Sequence, residues 1–205
     1  MSAIFVTGIG TGVGKTLTAC EMIGAARAAG QNADAFKPVL SGFDPARPEQ
    51  SDAGRLLTAL GRPIIAHSLD TLAPLRFAAQ LSPPDAALRE GANLTLATIT
   101  SLCNARIAHA PGLLLIEGAG GVMSPIAQDG LNIDLIKALG LPVVLAAANY
   151  LGAISHTLTS LEALQSRGLT VMSVVLRDLG NDGPAIVDTA SAIGRFATGA
   201  TVLIR

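Results

Sequence analysis

The sequence predicts an α/β fold: a single doubly wound, mostly parallel sheet flanked by helices. Three observations point to it. Four short apolar runs, residues 3–6, 113–116, 143–148 and 171–176, are continuous rather than alternating, the pattern of strands buried on both faces. Stretches of helical length lie between or beyond them, over 15–29, 94–110, 133–139, 155–167 and 184–196. Gly30, Gly140 and Gly168 follow three of these stretches, where a helix commonly ends in a left-handed residue.

Taken in order, the first run opens through a glycine-rich turn into the helix over 15–29. Phe36-Lys37-Pro38-Val39 ends a second strand. The segment 38–84 holds seven of the 11 prolines and reads as loop and short helix over one end of the sheet, with a helical stretch after Ser51-Asp52 through Leu60. Strand and helix then alternate to the end, which requires right-handed crossovers. With 205 residues, no linker-like break and no internal repeat, the chain is expected to be one domain over 1–205.

Composition narrows the function. Half of the residues are hydrophobic and 14% charged, so a dense core is expected and disorder is not. Net charge is −1, aromatics are 3% and Trp is absent, which disfavours a nucleic-acid partner. No apolar run approaches the ~18 residues of a membrane span, and the first residues lack the basic segment of a secretory signal. Cys20 and Cys103 are isolated, as in buried thiols of a reducing cytoplasm. Only three of the 14 basic residues are lysines: Lys15, Lys37 and Lys137. That scarcity draws attention to where they stand.

The strongest motif is Val6-Thr7-Gly8-Ile9-Gly10-Thr11-Gly12-Val13-Gly14-Lys15-Thr16, between the first strand and the first helix. Glycines turn backbone N–H groups toward phosphate oxygens, and the helix N-terminus adds favourable dipole charge. Lys15 is spaced to reach the β/γ-phosphates and Thr16 to offer a hydroxyl to Mg²⁺, so the fold is P-loop NTPase-like. The loop is one residue longer than the common pattern: Ile9 stands where the first glycine is usual, and Gly8 precedes it. A dinucleotide fingerprint would need glycine at 13, which is Val13. Neither Lys37 nor Lys137 sits in the Asn/Thr-Lys-x-Asp guanine reader of GTPases.

Leu113-Leu114-Leu115-Ile116-Glu117 is an apolar strand ending in an acid, followed by Gly118-Ala119-Gly120-Gly121. Glu117 is placed either to hold Mg²⁺ beside the phosphate loop or as a solvated strand end. Asp52 reads as a helix N-cap or a metal ligand. Lys37, with Ser41-Gly42 just after it, could neutralise an anionic intermediate; the alternative is a solvated surface lysine. His67, His109 and His156 show no metal-ligand spacing.

Together these residues resemble the dethiobiotin synthetase family. The resemblance is carried by Phe5-Val6-Thr7-Gly8 with Thr11 and Val13-Gly14-Lys15-Thr16, by Lys37-Pro38-Val39 with Ser41-Gly42, and by Ser51-Asp52-Ala53. It continues in Glu117-Gly118-Ala119-Gly120-Gly121 and Leu151-Gly152-Ala153-Ile154-Ser155-His156. It implies Mg²⁺-dependent, ATP-driven ring closure of 7,8-diaminononanoate with CO₂, through a carbamate and its phosphorylated anhydride. By that resemblance Gly12, Val13, Gly14, Lys15, Thr16 and Leu17 bind the triphosphate. Glu117, Gly118, Ala119 and Gly120 lie against the nucleotide, and Thr16, Asp52 and Glu117 hold Mg²⁺. Lys37, Lys15 and Thr11 are the implied catalytic groups, while Thr11, Ser41 and Lys37 meet the substrate. The family's homodimer implies that Gly152, Ala153 and Ser155 receive the substrate's distant carboxylate, partly from the partner subunit.

Arg177-Asp178 occupies the nucleotide side where members can carry a base-reading Asn. A C-terminal segment that contacts the nucleotide is expected to be shortened, so another nucleoside triphosphate could serve in place of ATP. Gly12 stands where some members carry an acid. A partitioning-type ATPase switch, the alternative reading, would carry an extra lysine early in the loop, where this chain has Ile9, Gly10 and Thr11. A catalytically dead, ligand-binding relative is opposed by the intact set of Lys15, Thr16, Lys37, Asp52 and Glu117.

Overall fold

The first strand, β1 (Ser2–Gly8), lies in the middle of a six-stranded sheet, and everything that positions the site follows from its two neighbours. The computed structural model describes residues 2–180 and 183–205. Along the chain the strands are β2 (Ala33–Phe36), β3 (Val39–Ser41), β4 (Leu75–Phe77), β5 (Leu113–Glu117), β6 (Pro125–Ala127), β7 (Gly130–Leu131), β8 (Val143–Ala148), β9 (Val171–Arg177) and β10 (Thr201–Ile204). The main sheet has the order β10-β9-β8-β1-β5-β2, with every pairing parallel. From β1 the chain crosses to the edge strand β2, returns to β5 beside β1, and then runs outward on the other side through β8, β9 and β10, so a crevice opens at the carboxyl end of β1, where such folds bind ligands.

The helices are α1 (Lys15–Ala28), α2 (Asp52–Ala59), α3 (Ala66–Leu72), α4 (Pro83–Arg89), α5 (Leu96–Ala108), α6 (Asn132–Leu139), α7 (Ala153–Gln165) and α8 (Ile186–Phe196). Period-2 side-chain direction explains why the strands are apolar throughout. Phe5, Leu114, Ile116, Leu145 and Leu176 pack on one face with Ile99, Ile133, Leu161 and Ile193. Ile4, Val6, Leu115, Val144 and Val175 pack on the other with Ile23, Leu56, Leu57 and Leu72. Burying one such side chain is worth roughly 1.5–3 kcal/mol, so both helical layers are held by the same strands.

The expected glycines do end helices, with φ of 72° at Gly30, 62° at Gly140 and 73° at Gly168. Three features differ from the sequence reading. β10 extends the sheet beyond β9. α7 starts at Ala153, two residues earlier than expected, because Gly152 turns the chain at φ 104°. The proline-rich segment holds the expected short helix as α2 and α3, but it also holds an unexpected β3–β4 parallel pair. Its prolines fall at element boundaries. Pro48 opens a 3₁₀ turn and Pro83 and Pro84 stand in the first turn of α4, positions that need no intrahelical N–H. Among the described residues, no helix is long and apolar enough to cross a membrane. Cys103 is buried, Cys20 is half-buried, and both are free thiols.

Gly54, in α2, is required by a close approach. A Cβ there would lie 2.2 Å from the Pro48 carbonyl oxygen, where the 3₁₀ turn lies against the helix. Gly→Ala in a helix ordinarily stabilises by up to about 1 kcal/mol. Gly54→Ala is expected to destabilise the chain by about 1–3 kcal/mol through overpacking, read as a lower urea midpoint with an unchanged slope.

Candidate functional site

Phosphate-loop geometry is built on β1 and the start of α1. Gly14 holds φ 88° just before α1, a backbone setting that a side chain would strain. The first turn of α1 begins at Lys15, and its exposed N–H groups face a cleft of about 170 Å³ lined by residues 12–17, Asp52, Arg55 and Leu179. A helix N-terminus so placed favours an anion. Lys15 Nζ donates to the Gly10 carbonyl at 2.8 Å, folding back across the loop.

Strand register supplies the charged centre. Phe36 of β2 pairs with Ile116 of β5, and Val6 of β1 pairs with Glu117. Lys37 therefore leaves β2 beside Glu117, on the strand next to the phosphate loop. Lys37 Nζ lies 2.5 Å from Glu117 Oε1 and 2.9 Å from Asp52 Oδ2. Thr16 Oγ1 donates to the same Glu117 oxygen at 2.9 Å. Lys37 is 2% exposed and Glu117 1%, so neither is a solvated strand end. Asp52 is not the cap of α2. Ser51 takes that place, its Oγ accepting from the Gly54 N–H at 3.1 Å, which leaves the Asp52 carboxylate free for Lys37.

These contacts set the protonation states. Burial works against the charge on Lys37, but Glu117 and Asp52 outweigh it and hold the ammonium above its ordinary pKa. Burial also works against the Asp52 carboxylate, yet the Lys37 ammonium keeps it below the usual range. Lys15 differs. Burial, followed by repulsion from Lys37, brings its pKa down to about 8. Two ammonium groups thus share one site with two carboxylates, and one of the two sits near its titration point at neutral pH.

The donor set fits Mg²⁺. Glu117 Oε2 is buried with no partner, and Asp52 and the Thr16 hydroxyl stand beside it. Among the described residues no group of three or more His, Cys, Asp or Glu could by itself hold a metal. Mg²⁺ is commonly bound by one or two carboxylates, with waters and substrate phosphates completing the shell.

Beside this centre lies a larger cavity of about 640 Å³, with Thr11, Ser41, Ala119 and Gly120 in its lining. Gln80 and Ser124 also line it. Neither belongs to a recognisable motif, and sequence reasoning missed both, as it missed Arg55 and Leu179 in the cleft. The glycine loop after β5 is pinned by Asn132 of α6, whose Nδ2 donates to Ala119 O at 2.5 Å and Gly121 O at 3.0 Å. Gly121 reaches the phosphate loop itself: a Cβ on it would lie 3.1 Å from Gly10 backbone atoms.

Three expected residues stand apart. Gly152, Ala153 and Ser155 lie at the start of α7, beyond β8, and none lines the cavity. Arg177 ends β9 with its guanidinium on Glu21, at 2.8 and 2.6 Å, and Nε 3.2 Å from Thr18 Oγ1. Its stem fills the space beside Gly14, where a Cβ would meet Arg177 Cδ at 2.7 Å. Asp178 is exposed and accepts from the Gly180 N–H at 3.0 Å.

The parallel sheet, the glycine-rich turn and the anion cleft at the head of α1 define a P-loop protein of the nucleoside-triphosphate-using class. The sequence pattern of the family described as an AAA domain matches residues 2–202. The ATP-dependent dethiobiotin synthetase BioD of Phenylobacterium zucineum is 52% identical over 204 residues, covering 98% of this chain and 87% of that protein. The synthetase of the same name from Caulobacter vibrioides strain NA1000 / CB15N is 46% identical, covering 99% and 91%. The chain belongs to the dethiobiotin synthetase family. Among solved structures, the signal recognition particle receptor FtsY of Elizabethkingia anophelis aligns with TM-score 0.56 at 16% identity, over 99% of this chain and 58% of that one. The hydrogenase maturation factor HypB of Archaeoglobus fulgidus aligns with TM-score 0.57 at 14% identity, over 100% and 81%. These two share the fold alone.

The position of Lys15 gives a direct test. In ¹³C-dimethyl-lysine NMR, Lys15 should titrate near pH 8, losing its charge as pH rises through that value. Lys37→Met removes the neighbouring ammonium and should move that titration upward; an unchanged or lower midpoint would show that Lys37 does not act on Lys15.

Proposed function

We propose that this chain is an ATP-dependent dethiobiotin synthetase that closes a ureido ring on 7,8-diaminononanoate with CO₂. The observation that carries this reading is the buried cluster of Lys37, Glu117 and Asp52 beside Lys15 of the phosphate cleft. One amine of the substrate attacks CO₂ and loses a proton, giving a carbamate. A carbamate oxygen attacks the γ-phosphorus of ATP and releases ADP. The second amine then attacks the carbamoyl carbon, loses its proton and expels inorganic phosphate.

In this reading residues 12–17 cradle the triphosphate, with Lys15 leaving Gly10 to meet phosphate oxygens. Thr16, Asp52 and Glu117 would hold Mg²⁺, whose chemistry is to neutralise charge on the transferring phosphoryl group. Lys37 carries the other compensating charge. Paired with two carboxylates, it stays an ammonium through neutral pH and sits where carbamate and acyl phosphate develop negative oxygens. Thr11 and Ser41 contact the substrate from the cavity wall; Ala119 and Gly120, which the resemblance sets against the nucleotide, line that same wall, and Gly118 lies behind it. Arg177 serves the nucleotide side through Gly14 and α1, with Asp178 at its rim. A single domain carries both sites.

Assembly as a cytoplasmic homodimer belongs to the same proposal. Leu151 is 86% exposed and Met123 49%, apolar surface at the end of the sheet where Gly152 and Ser155 would serve the substrate bound to a second copy, with Ala153 buried beneath them and its N–H on the Tyr150 carbonyl.

Incubation with diaminononanoate, bicarbonate, Mg²⁺ and each common nucleoside triphosphate should yield dethiobiotin; no product with any of them overturns the reading. Lys37→Ala should lower turnover by about 10²–10³-fold, the loss typical of one charge-stabilising donor. Binding of ATP, followed by calorimetry, should change by less than about threefold, since uniform binding is unaffected. Retained turnover would remove Lys37 from the chemistry.

A further inference from the structure

We propose that Asn132 is a positioning residue for the substrate side of the site, the side chain whose amide sets the shape of the loop over residues 118–124. The proposal rests on the functional reading above, because the wall it shapes belongs to the cavity assigned there to the diamine.

Asn132 is the first residue of α6 and has no exposed surface. Its Nδ2 carries two hydrogens and lies within reach of three carbonyls, those of Ala119 at 2.5 Å, Gly121 at 3.0 Å and Ser124 at 3.3 Å. Its Oδ1 accepts from the Ala119 N–H at 3.3 Å. The backbone continues the pattern: the Asn132 N–H donates to Ser124 O and the Ile133 N–H to Val122 O, both at 3.0 Å. Within the loop the Gly121 carbonyl accepts from the Ser124 N–H at 3.0 Å, but the Ala119, Val122 and Ser124 carbonyls find their partners on Asn132 and Ile133, and buried polar groups left unpaired are costly. One amide side chain and one helix N-terminus satisfy them together.

The fit is close on both sides. A Cβ at residue 118 would lie 2.6 Å from Asn132 Oδ1, so glycine there makes room for this amide. On its far side the same loop presents Ala119, Gly120 and Ser124 to the cavity. Asn132 touches neither the phosphate-cleft residues 12–17 nor the cavity, so it acts on the substrate only through the wall. Its loss should therefore separate the two substrates.

Asn132→Asp keeps the size and the acceptor but turns a carboxylate against three carbonyl oxygens. Asn132→Ser is milder and retains one donor. In Asn132→Asp, KM for the diamine should rise about tenfold or more while KM for ATP stays within about twofold, the split expected when only one substrate's binding wall is disturbed. Asn132→Ser should shift the diamine KM in the same direction by less. Amide hydrogen exchange should quicken at residues 119–124 and remain native at 12–17 in both variants. Parallel rises in both KM values, or native exchange at 119–124, would overturn the proposal. Should Asn132→Asp not fold, Asn132→Ser alone decides. Native protein that makes no dethiobiotin would overturn the functional reading instead, and the exchange experiment would still judge Asn132.

Discussion

A buried ammonium held between two carboxylates is the constraint on which the site depends. Removing charges from water costs several kcal/mol per ion unless they are paired and hydrogen-bonded. Lys37, Glu117 and Asp52 meet that condition only when three elements are in place. β2 must end beside β5, α2 must begin where Ser51 caps it, and α1 must present Thr16 to Glu117. The electrostatics therefore select one relative placement of the sheet edge, the phosphate loop and the proline-rich segment. The apolar core permits a range of helix positions; the charged centre narrows it.

The same cluster explains why the two lysines differ. Lys37 has both carboxylates in direct contact and keeps its proton firmly. Lys15 has a backbone carbonyl as its hydrogen-bond partner, and burial, followed by the repulsion of Lys37, leaves its charge loosely held. A polyanionic ligand would supply what Lys15 lacks, and its binding would be coupled to completing that protonation. The pair thus joins a fixed positive charge to one that the ligand consolidates.

Much of this was legible because it is local. The phosphate loop, Glu117 at a strand end and Lys37 before a proline are patterns a few residues long, and backbone geometry turns each into a position. The alternation of buried runs and helices gave the order of layers for the same reason. What stayed hidden depends on distant partners. Nothing near Arg177 announces Glu21, 156 residues away, and nothing near Gly118 announces Asn132. Gln80 and Ser124 join one cavity only because the segments after β3 and β5 come together at the same sheet end. β10 is short, and its residues carry little pattern until β9 gives them a partner. The resemblance set Arg177 on the nucleotide side; the structure adds that its guanidinium faces Glu21 of α1.

The contact between Gly10 and Gly121 has a mechanical consequence. The phosphate loop and the loop after β5 meet there through main chain, with no side chain between them to compress or swing aside. Packed backbone has few discrete arrangements, so a side chain added at that seam finds no room on either side. Protein engineers wishing to reshape either would have to redesign them as a matched pair, because enlarging a residue at the seam alters both at once.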